Sequence, residues 1–242
     1  LNSGLVLRMN VSRNFRAPTF NELYWSGGGG IGNPNLNPER ADNVDAGILF
    51  SFSILGEHSL KTTYYNISMA DRIIWTAAGF GIVTPKNVRS VSSYGIEVSY
   101  QWSGLSDLLL FDANYTNGKS IKTSEEYPGD PTVNNQLPYI PEEMMNIAGS
   151  FNYKTEGTFI SLIGFTIAHQ FVGYRFTTED NSDYLLGYNL TDGNVRLRST
   201  FGNVLLNLKF EIKNIFEKEY QVMPAYPMPM RSYRFSFSFE LT

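Results

Sequence analysis

A repeated alternation of apolar and polar residues is the feature that most constrains the fold of this chain. In the last segment, every second residue is aromatic or aliphatic: Tyr233, Phe235, Phe237, Phe239 and Leu241. Successive side chains of a β-strand point to opposite faces of the sheet, so this alternation predicts a strand with one apolar and one polar face. Similar segments predict about ten strands, near residues 5–11, 44–54, 59–69, 94–102, 107–118, 144–154, 158–176, 188–200, 206–212 and 233–241. Each is close to the ~9–11 residues with which a tilted strand crosses a lipid bilayer.

The connections between the predicted strands are short and long in turn. The short ones are residues 55–59, 103–106, 155–157 and 201–202. The long ones are residues 17–40, 70–86, 119–142, 177–186 and 217–229. Outer-membrane barrels have short periplasmic turns and longer extracellular loops. The pattern therefore predicts that the first strand runs outward and that Thr242 lies on the periplasmic side.

The composition argues against several other classes of protein. The chain has no cysteine, which excludes a disulfide framework, a thiolate metal site and a cysteine nucleophile. Its net charge of -4 argues against a nucleic-acid partner, since proteins that bind nucleic acids normally carry a basic stripe. The mean hydropathy of -0.21 excludes a bundle of transmembrane helices.

A soluble β-sandwich or lipocalin-like barrel would also show alternation, because it hides one face of each strand in a core. The distribution of charged and aromatic residues favours a membrane barrel over these alternatives. The residues expected to face lipid are Phe235, Phe237, Phe239, Leu206, Leu208, Phe210, Ile96 and Val98. The residues expected to face the lumen are Lys209, Glu211, Lys213, Arg196, Arg198 and Glu97.

Motifs at both ends of the chain narrow the identification further. Residues 12–39 read SRNFRAPTFNELYWSGGGGIGNPNLNPE, and residues 213–220 read KNIFEKEY. Residues 227–233 read PMPMRSY. These stretches resemble the hallmark boxes of the TonB-dependent receptor family of Gram-negative outer membranes, with Met230 where glycine is usual. The motif residues are Phe15, Arg16, Ala17 and Pro18 in the first box and Asn33, Pro34, Asn35 and Leu36 in the second.

The first two boxes also make physical sense as the parts of a folded loop. Pro18 lacks an N–H group and therefore ends strand pairing. Arg16 and Glu39 are predicted to pair across the base of the loop, although exposed ion pairs contribute only ~0–1 kcal/mol. The run Gly27–Gly30 is interpreted as a flexible loop tip rather than a phosphate-binding loop, because no strand–helix context follows it.

The resemblance covers the whole chain and implies an all-β fold, an antiparallel up-and-down transmembrane β-barrel. Members of the family have 22 strands around an N-terminal plug domain. Residues 1–242 are therefore expected to be a single barrel region of about ten strands, the C-terminal part of such a barrel, without the plug. The implied location is the Gram-negative outer membrane. The implied partners are outer-membrane lipid, a small-molecule chelate, and TonB acting through a plug domain that this chain does not encode.

The implied function is uptake of a scarce nutrient, foremost an iron–siderophore complex or a similar metal chelate. No resident cofactor is expected. Aromatic loop residues are the candidates for contacting the ligand, because they present stacking area with few rotamers to restrict. The candidates are Tyr24, Trp25, Trp75, Phe80, Tyr127, Tyr139 and Tyr226, and each could instead pack within a loop or lie at the lipid interface.

Haem and vitamin B12 are alternative substrates, and a passive porin-like barrel is an alternative function. Haem receptors of the family place a histidine between the two boxes, but no histidine lies between Phe15 and Leu36 here. Tyr24 is the only ring in that stretch with an oxygen that can bind haem iron.

No catalytic or metal-ligating residues are assigned, and the chain is not expected to be an enzyme. His169 and Ser161 lie on one face of a predicted strand but ~26 Å apart, so we expect His58 and His169 to be structural. Two acidic groups lie in predicted loops: Glu125, Glu126 and Asp130, and Glu179, Asp180 and Asp183. Neither has the spacing of a calcium-binding loop, and both are interpreted as solvated acids.

Overall fold

Ten long antiparallel strands form one sheet in the computed structural model, which describes residues 3–79, 82–155 and 159–241. In chain order they are β1 (Ser3–Arg16), β2 (Glu39–Ser53), β3 (Glu57–Gly79), β4 (Ile82–Gly104), β5 (Leu109–Lys122), β6 (Glu143–Lys154), β7 (Ile160–Val172), β8 (Tyr188–Phe201), β9 (Val204–Lys213) and β10 (Ser232–Leu241). Each strand pairs with the next along the chain. The predicted all-β, up-and-down fold is confirmed. Within the described residues β1 and β10 do not pair with each other, so the ten strands do not close into a barrel.

The remaining elements are short. A single helix, α1 (Phe20–Tyr24), is present among the described residues. Three pairs of short strands lie in the long connections: Ser26–Gly27 with Gly30–Ile31, Arg175–Phe176 with Tyr184–Leu185, and Gln221–Met223 with Tyr226–Pro227. In the described part of the chain, no helix has the length and apolar character needed to cross a membrane.

The strand register separates the two predicted faces of the sheet. Phe210 lies opposite Phe235 on one side and Val195 on the other. One residue earlier, Lys209 lies opposite Arg196 and Ser236. Following the register through all ten strands places every predicted lipid-facing residue on one face and every predicted lumen-facing residue on the other. No described part of the chain covers the apolar face, since Phe235, Phe237 and Phe239 are 65%, 67% and 69% exposed.

Aromatic side chains gather on the apolar face near the short connections. The His58 ring stacks on Phe52, with ring centroids 4.3 Å apart, and lies 6.3 Å from Trp102. Both ring nitrogens of His58 have partners, the Tyr100 hydroxyl at 2.8 Å and the Ile54 carbonyl at 2.8 Å. This cluster matches the aromatic girdle of a membrane barrel, where amphipathic rings lie at the lipid–water boundary.

The interpretation of residues 70–86 as a loop is wrong. β3 and β4 are each 23 residues long, and their outer parts pair with each other from Ala70 opposite Ser90 to Gly79 opposite Ile82. β2 begins at Glu39 and pairs with β3 only as far as Ala70, so the β3–β4 hairpin extends beyond it. Trp75 is therefore a strand residue. The predicted strand at 158–176 is likewise shorter, because β7 ends at Val172.

Candidate ligand-binding site

The connection between β1 and β2, which we call loop 17–38, contains helix α1 near its start. Two reciprocal hydrogen bonds cap the N-terminus of this helix. The Thr19 hydroxyl accepts a hydrogen bond from the Glu22 N–H at 3.2 Å, and the Glu22 carboxylate accepts one from the Thr19 N–H at 2.7 Å. This capping box satisfies two N–H groups that the first turn cannot pair internally. Pro18 stands just before it, after the end of β1 at Arg16. The first motif box is thus a strand end followed directly by a capped helix.

Arg16 joins the two ends of this loop. Its guanidinium donates to both carboxylate oxygens of Glu39 at 2.7 Å and to both oxygens of Glu22 at 2.9 and 3.1 Å. The predicted pair of Arg16 with Glu39 is therefore present, and Glu22 extends it. Glu39 also accepts a hydrogen bond from the Ile73 N–H at 2.7 Å, which ties the cluster to the β3–β4 hairpin. Arg16, aided by the Thr19 N–H, lowers the pKa of Glu22 from 4.5 to about 2.

The second motif box folds loop 17–38 against the β3–β4 hairpin. The Asn33 side chain accepts a hydrogen bond from the Asn35 N–H at 3.0 Å and donates to the Pro85 carbonyl at 3.2 Å. The Asn87 amide pairs with both backbone groups of Asn37 at 2.9 and 3.0 Å. Leu36 is buried. The amide side chains therefore add to a short parallel pairing of Gly30 with Val83 in holding the loop to the hairpin.

Two of the predicted ligand-contacting residues, Trp25 and Trp75, come together at this loop. A Cβ atom placed on Gly30 would lie 3.0 Å from Trp25 Cδ1 and 3.5 Å from Trp75 Cζ3, so the two indoles flank this glycine. They line a cleft of about 390 Å³ together with Thr19, Asn21, Glu22, Gly28, Gly30 and Val83. The two tryptophans are 49% and 42% exposed and therefore accessible from the cleft. The Gly27–Gly30 run is held in place, since the Val83 N–H donates to the Gly29 carbonyl at 2.8 Å.

The other predicted aromatics lie apart from this cleft. Tyr24 packs on Phe20, with ring centroids 5.1 Å apart. Tyr127, Tyr139 and Tyr226 are exposed on three other parts of the long connections. Phe80 lies outside the described residues.

Loops 123–142 and 173–187 are joined to each other by an amide pair. The Asn181 side chain accepts a hydrogen bond from the Gln136 N–H at 3.0 Å and donates to the Gln136 carbonyl at 2.8 Å. Beneath them, Lys122 contacts Asp130 at 2.7 Å and Glu126 at 3.3 Å. Lys122 holds the pKa of Asp130 well below its usual range. Two of the acids interpreted as solvated are thus paired with a lysine.

A second concave surface lies between loops 173–187 and 214–231. We call it the tyrosine groove; it measures about 700 Å³ and is lined by residues 184–188, 218–221, 227, 228 and 230. The Tyr188 and Tyr220 rings pack together there, 4.6 Å apart. Burial raises the pKa of the Tyr220 phenol, and the neighbouring Tyr188 and Asp192 act in the same direction. None of the predicted ligand-contacting residues lines this groove. Tyr226 comes nearest in sequence, since it precedes the lining residue Pro227.

The two histidines, His58 and His169, both have hydrogen-bond partners within the chain. His169 donates to or accepts from the Thr191 hydroxyl at 2.9 Å and lies on the apolar face of β7. In the described ranges, no group of three or more His, Asp or Glu residues is placed to hold a metal ion. What the loops present instead is stacking surface, in the indole cleft and in the tyrosine groove.

Comparison with known sequences relates most of the chain to one protein family and to two transporters. Residues 1–215 match a family model described as TonB dependent receptor-like, beta-barrel. The vitamin B12 transporter BtuB of Vibrio vulnificus is 27% identical over 213 residues, which cover 88% of this chain and 30% of the relative. The BtuB of Photobacterium profundum is 26% identical over 240 residues, covering 96% of this chain and 35% of that relative. The chain therefore spans about a third of the length of these relatives.

Solved structures show the same fold at low sequence identity. The copper transporter OprC superposes with a TM-score of 0.72 at 16% identity, covering 100% of this chain and 38% of that chain. The ferric enterobactin receptor PfeA of Pseudomonas aeruginosa, in complex with enterobactin, gives a TM-score of 0.69 at 17% identity over 98% of this chain and 38% of the other. The ferric preacinetobactin receptor BauA of Acinetobacter baumannii gives 0.68 at 11% identity, covering 98% and 34%.

Proposed function

Because this chain belongs to the TonB-dependent receptor β-barrel family, we propose that it forms part of the wall and the outer loops of an outer-membrane transporter that imports a metal chelate. An iron–siderophore complex is the leading substrate. In this proposal the apolar face of the sheet contacts outer-membrane lipid and the polar face lines the lumen. Coupling to TonB would be supplied by a plug domain, as in other members of the family.

The observation that carries the proposal is the indole cleft on loop 17–38. Two half-exposed indoles offer a large stacking surface with few rotamers to restrict on binding. The cleft is about 390 Å³, within the ~300–1,000 Å³ typical of small-molecule sites. Its walls are held by Arg16 and by the β3–β4 hairpin, so little ordering remains to be done when a ligand arrives.

A second candidate substrate is vitamin B12. The observation that favours it is the similarity in sequence to two vitamin B12 transporters, each aligned over most of this chain. A planar corrin ring and an aromatic chelate would both stack on indole rings, so the cleft itself supports either substrate.

Uptake by intact cells tests the proposal. The complete receptor would be expressed in a Gram-negative strain that lacks its own chelate and cobalamin receptors. The cells would then be supplied with radiolabelled ferric siderophores or labelled cyanocobalamin. We expect uptake of one of these classes, and we expect Trp25→Ala and Trp75→Ala each to weaken binding about tenfold or more, as loss of a central aromatic contact does. Phe20→Ala is the matched control, since that ring lies on the same loop and is exposed but does not line the cleft. Equal uptake by all three variants, or no uptake of any of these compounds by the unmodified receptor, would contradict the proposal.

A further inference from the structure

Arg175 is buried without a counter-charge. The residue is only 5% exposed, yet it forms no ion pair with any carboxylate of the described residues. One N–H, at Nη2, donates to the Gln221 carbonyl at 2.9 Å. The guanidinium carbon lies 5.1 Å from the centroid of the Tyr188 ring. The Nε atom is buried and has no hydrogen-bond partner among the described residues.

This arrangement is unusual because burying a charge is unfavourable unless the charge is paired. Buried arginines are normally matched by a carboxylate, and nearly all buried polar atoms find a partner. The Tyr188 ring and one carbonyl offset part of the cost for Arg175. The positive charge remains, and in a medium of low dielectric constant it acts over a longer distance than it would in water.

The positive charge of Arg175 lies next to the tyrosine groove. Tyr188 and Gln221, which contact the guanidinium of Arg175, line the groove. The lining itself carries one lysine, Lys218, and one glutamate, Glu219. Two carboxylates lie beside the groove: Asp183 precedes Tyr184 in the chain, and Asp192, near Tyr220, is paired with Lys213 at 3.5 Å. Arg175 contributes a buried positive charge in contact with two lining residues.

We infer that the tyrosine groove is an anion subsite, in which Arg175 provides the positive field and the Tyr188–Tyr220 pair provides a flat surface for a negatively charged chelate. This inference rests on the proposed function and narrows its substrate class. It favours anionic chelates, such as catecholate or carboxylate complexes of iron, over uncharged hydroxamate complexes and over cyanocobalamin. Arg175 acts here as a positioning residue through its charge, behind the ring of Tyr188.

The test is equilibrium binding to the complete receptor in outer-membrane vesicles. The probes are a trianionic ferric tris-catecholate, an anionic ferric polycarboxylate, an uncharged ferric tris-hydroxamate and cyanocobalamin. We expect an anionic complex to bind most tightly, and its affinity to fall as salt is raised while that of the uncharged compounds does not. Arg175→Gln should weaken the anionic complex at least tenfold, the effect of one unit charge on another about 10 Å away at an effective dielectric constant of about 20. Arg175→Lys should retain most of the affinity, and Lys154→Gln is the matched control for loss of a positive charge, since Lys154 is exposed and does not line the groove.

The outcomes separate this inference from the proposed function. The salt dependence of the unmodified receptor needs no variant, so it tests the inference even if Arg175→Gln fails to reach the membrane. If an uncharged chelate or cyanocobalamin binds most tightly, or if anion binding does not respond to salt or to Arg175→Gln, the inference is overturned and the transporter function stands. If none of the four probes binds and no chelate is taken up, the proposed function is overturned, and the inference with it.

Discussion

Two arginines near the long connections, Arg16 and Arg175, differ in exposure and in the charge of their partners. Arg16 meets two carboxylates, each with both of its oxygens, although its own side chain is 42% exposed. Arg175 is almost fully buried and meets no carboxylate among the described residues. Water could have solvated Arg16 at little cost, whereas Arg175 has lost its water and gained only a carbonyl and a ring.

The difference separates a charge that holds the protein together from a charge that is available for binding. The contacts of Arg16 are all made within the chain, and they connect the end of β1, helix α1 and the start of β2. The Nε atom of Arg175 has no hydrogen-bond partner within the described residues. Substitutions should therefore affect the two positions in different ways, folding of a loop in one case and selection of a ligand in the other.

The largest expected effect is on loop 17–38 in Arg16→Met. This change leaves Glu22 and Glu39 unpaired, although their side chains are only 13% and 16% exposed. We expect the folded conformation of the loop to be destabilised by roughly 1–3 kcal/mol, a figure that allows for the partial exposure of Arg16. Limited proteolysis and hydrogen exchange of the complete receptor would show faster cleavage and exchange in residues 17–38. If Arg175→Gln opened this loop as much as Arg16→Met does, the contrast between the two arginines would be wrong.

A smaller effect is expected in the region of Arg175 when Asn181 is replaced by glycine. Asn181 has a positive φ of 56°, which glycine adopts without strain, so Asn181→Gly removes the two hydrogen bonds to Gln136 and leaves the backbone shape accessible. We expect loop 173–187 to be destabilised by about 1–2 kcal/mol. Hydrogen exchange should increase in that loop and in residues 123–142, while loop 17–38 stays protected. Unchanged protection of both loops would show that the amide pair contributes little.

The smallest expected effect is the pH dependence of loop 17–38. Because Arg16 lowers the pKa of Glu22 to about 2 in the folded state, the stability contributed by this carboxylate is complete above about pH 4.5. It should be lost progressively as the pH falls from about 4.5 toward 2. Protonation of Glu22 removes only one of the two carboxylates that Arg16 holds, so the effect should be smaller than that of Arg16→Met. Hydrogen exchange at several pH values, corrected for the intrinsic rate, would measure it, and Glu22→Gln should remove this part of the dependence.

The fold was largely predictable from the sequence because period-two alternation is a local signal. All ten predicted strands are present, and the register confirms the two faces. The error at residues 70–86 has a physical reason. The outer parts of β3 and β4 pair mainly with each other and with loop 17–38, and Pro85 interrupts the pattern although it is fully buried against that loop.

The sites were less predictable, since they depend on contacts between distant segments. The Arg16–Glu39 pair follows from the strand register, because these residues lie opposite each other in β1 and β2. The approach of Trp25 and Trp75 requires loop 17–38 to fold onto the hairpin, and no local pattern indicates that. The tyrosine groove joins residues about thirty positions apart, and the burial of Arg175 has no signature in the sequence. The ligand contacts proposed for all seven aromatic residues, Tyr24, Trp25, Trp75, Phe80, Tyr127, Tyr139 and Tyr226, remain predictions.

The extension of the β3–β4 hairpin has a consequence for the width of the indole cleft. About nine residues of each strand extend beyond the start of β2, which corresponds to ~30 Å at the usual rise of a strand. One wall of the cleft, Trp75, belongs to this hairpin, and the other, Trp25, belongs to a loop that is hydrogen-bonded to it. Because the loop that carries Trp25 is hydrogen-bonded to the hairpin, bending of the hairpin should carry both walls of the cleft together. In the proposed transporter, such a cleft would select ligands by size and shape, and this discrimination would not depend on the charge of the ligand.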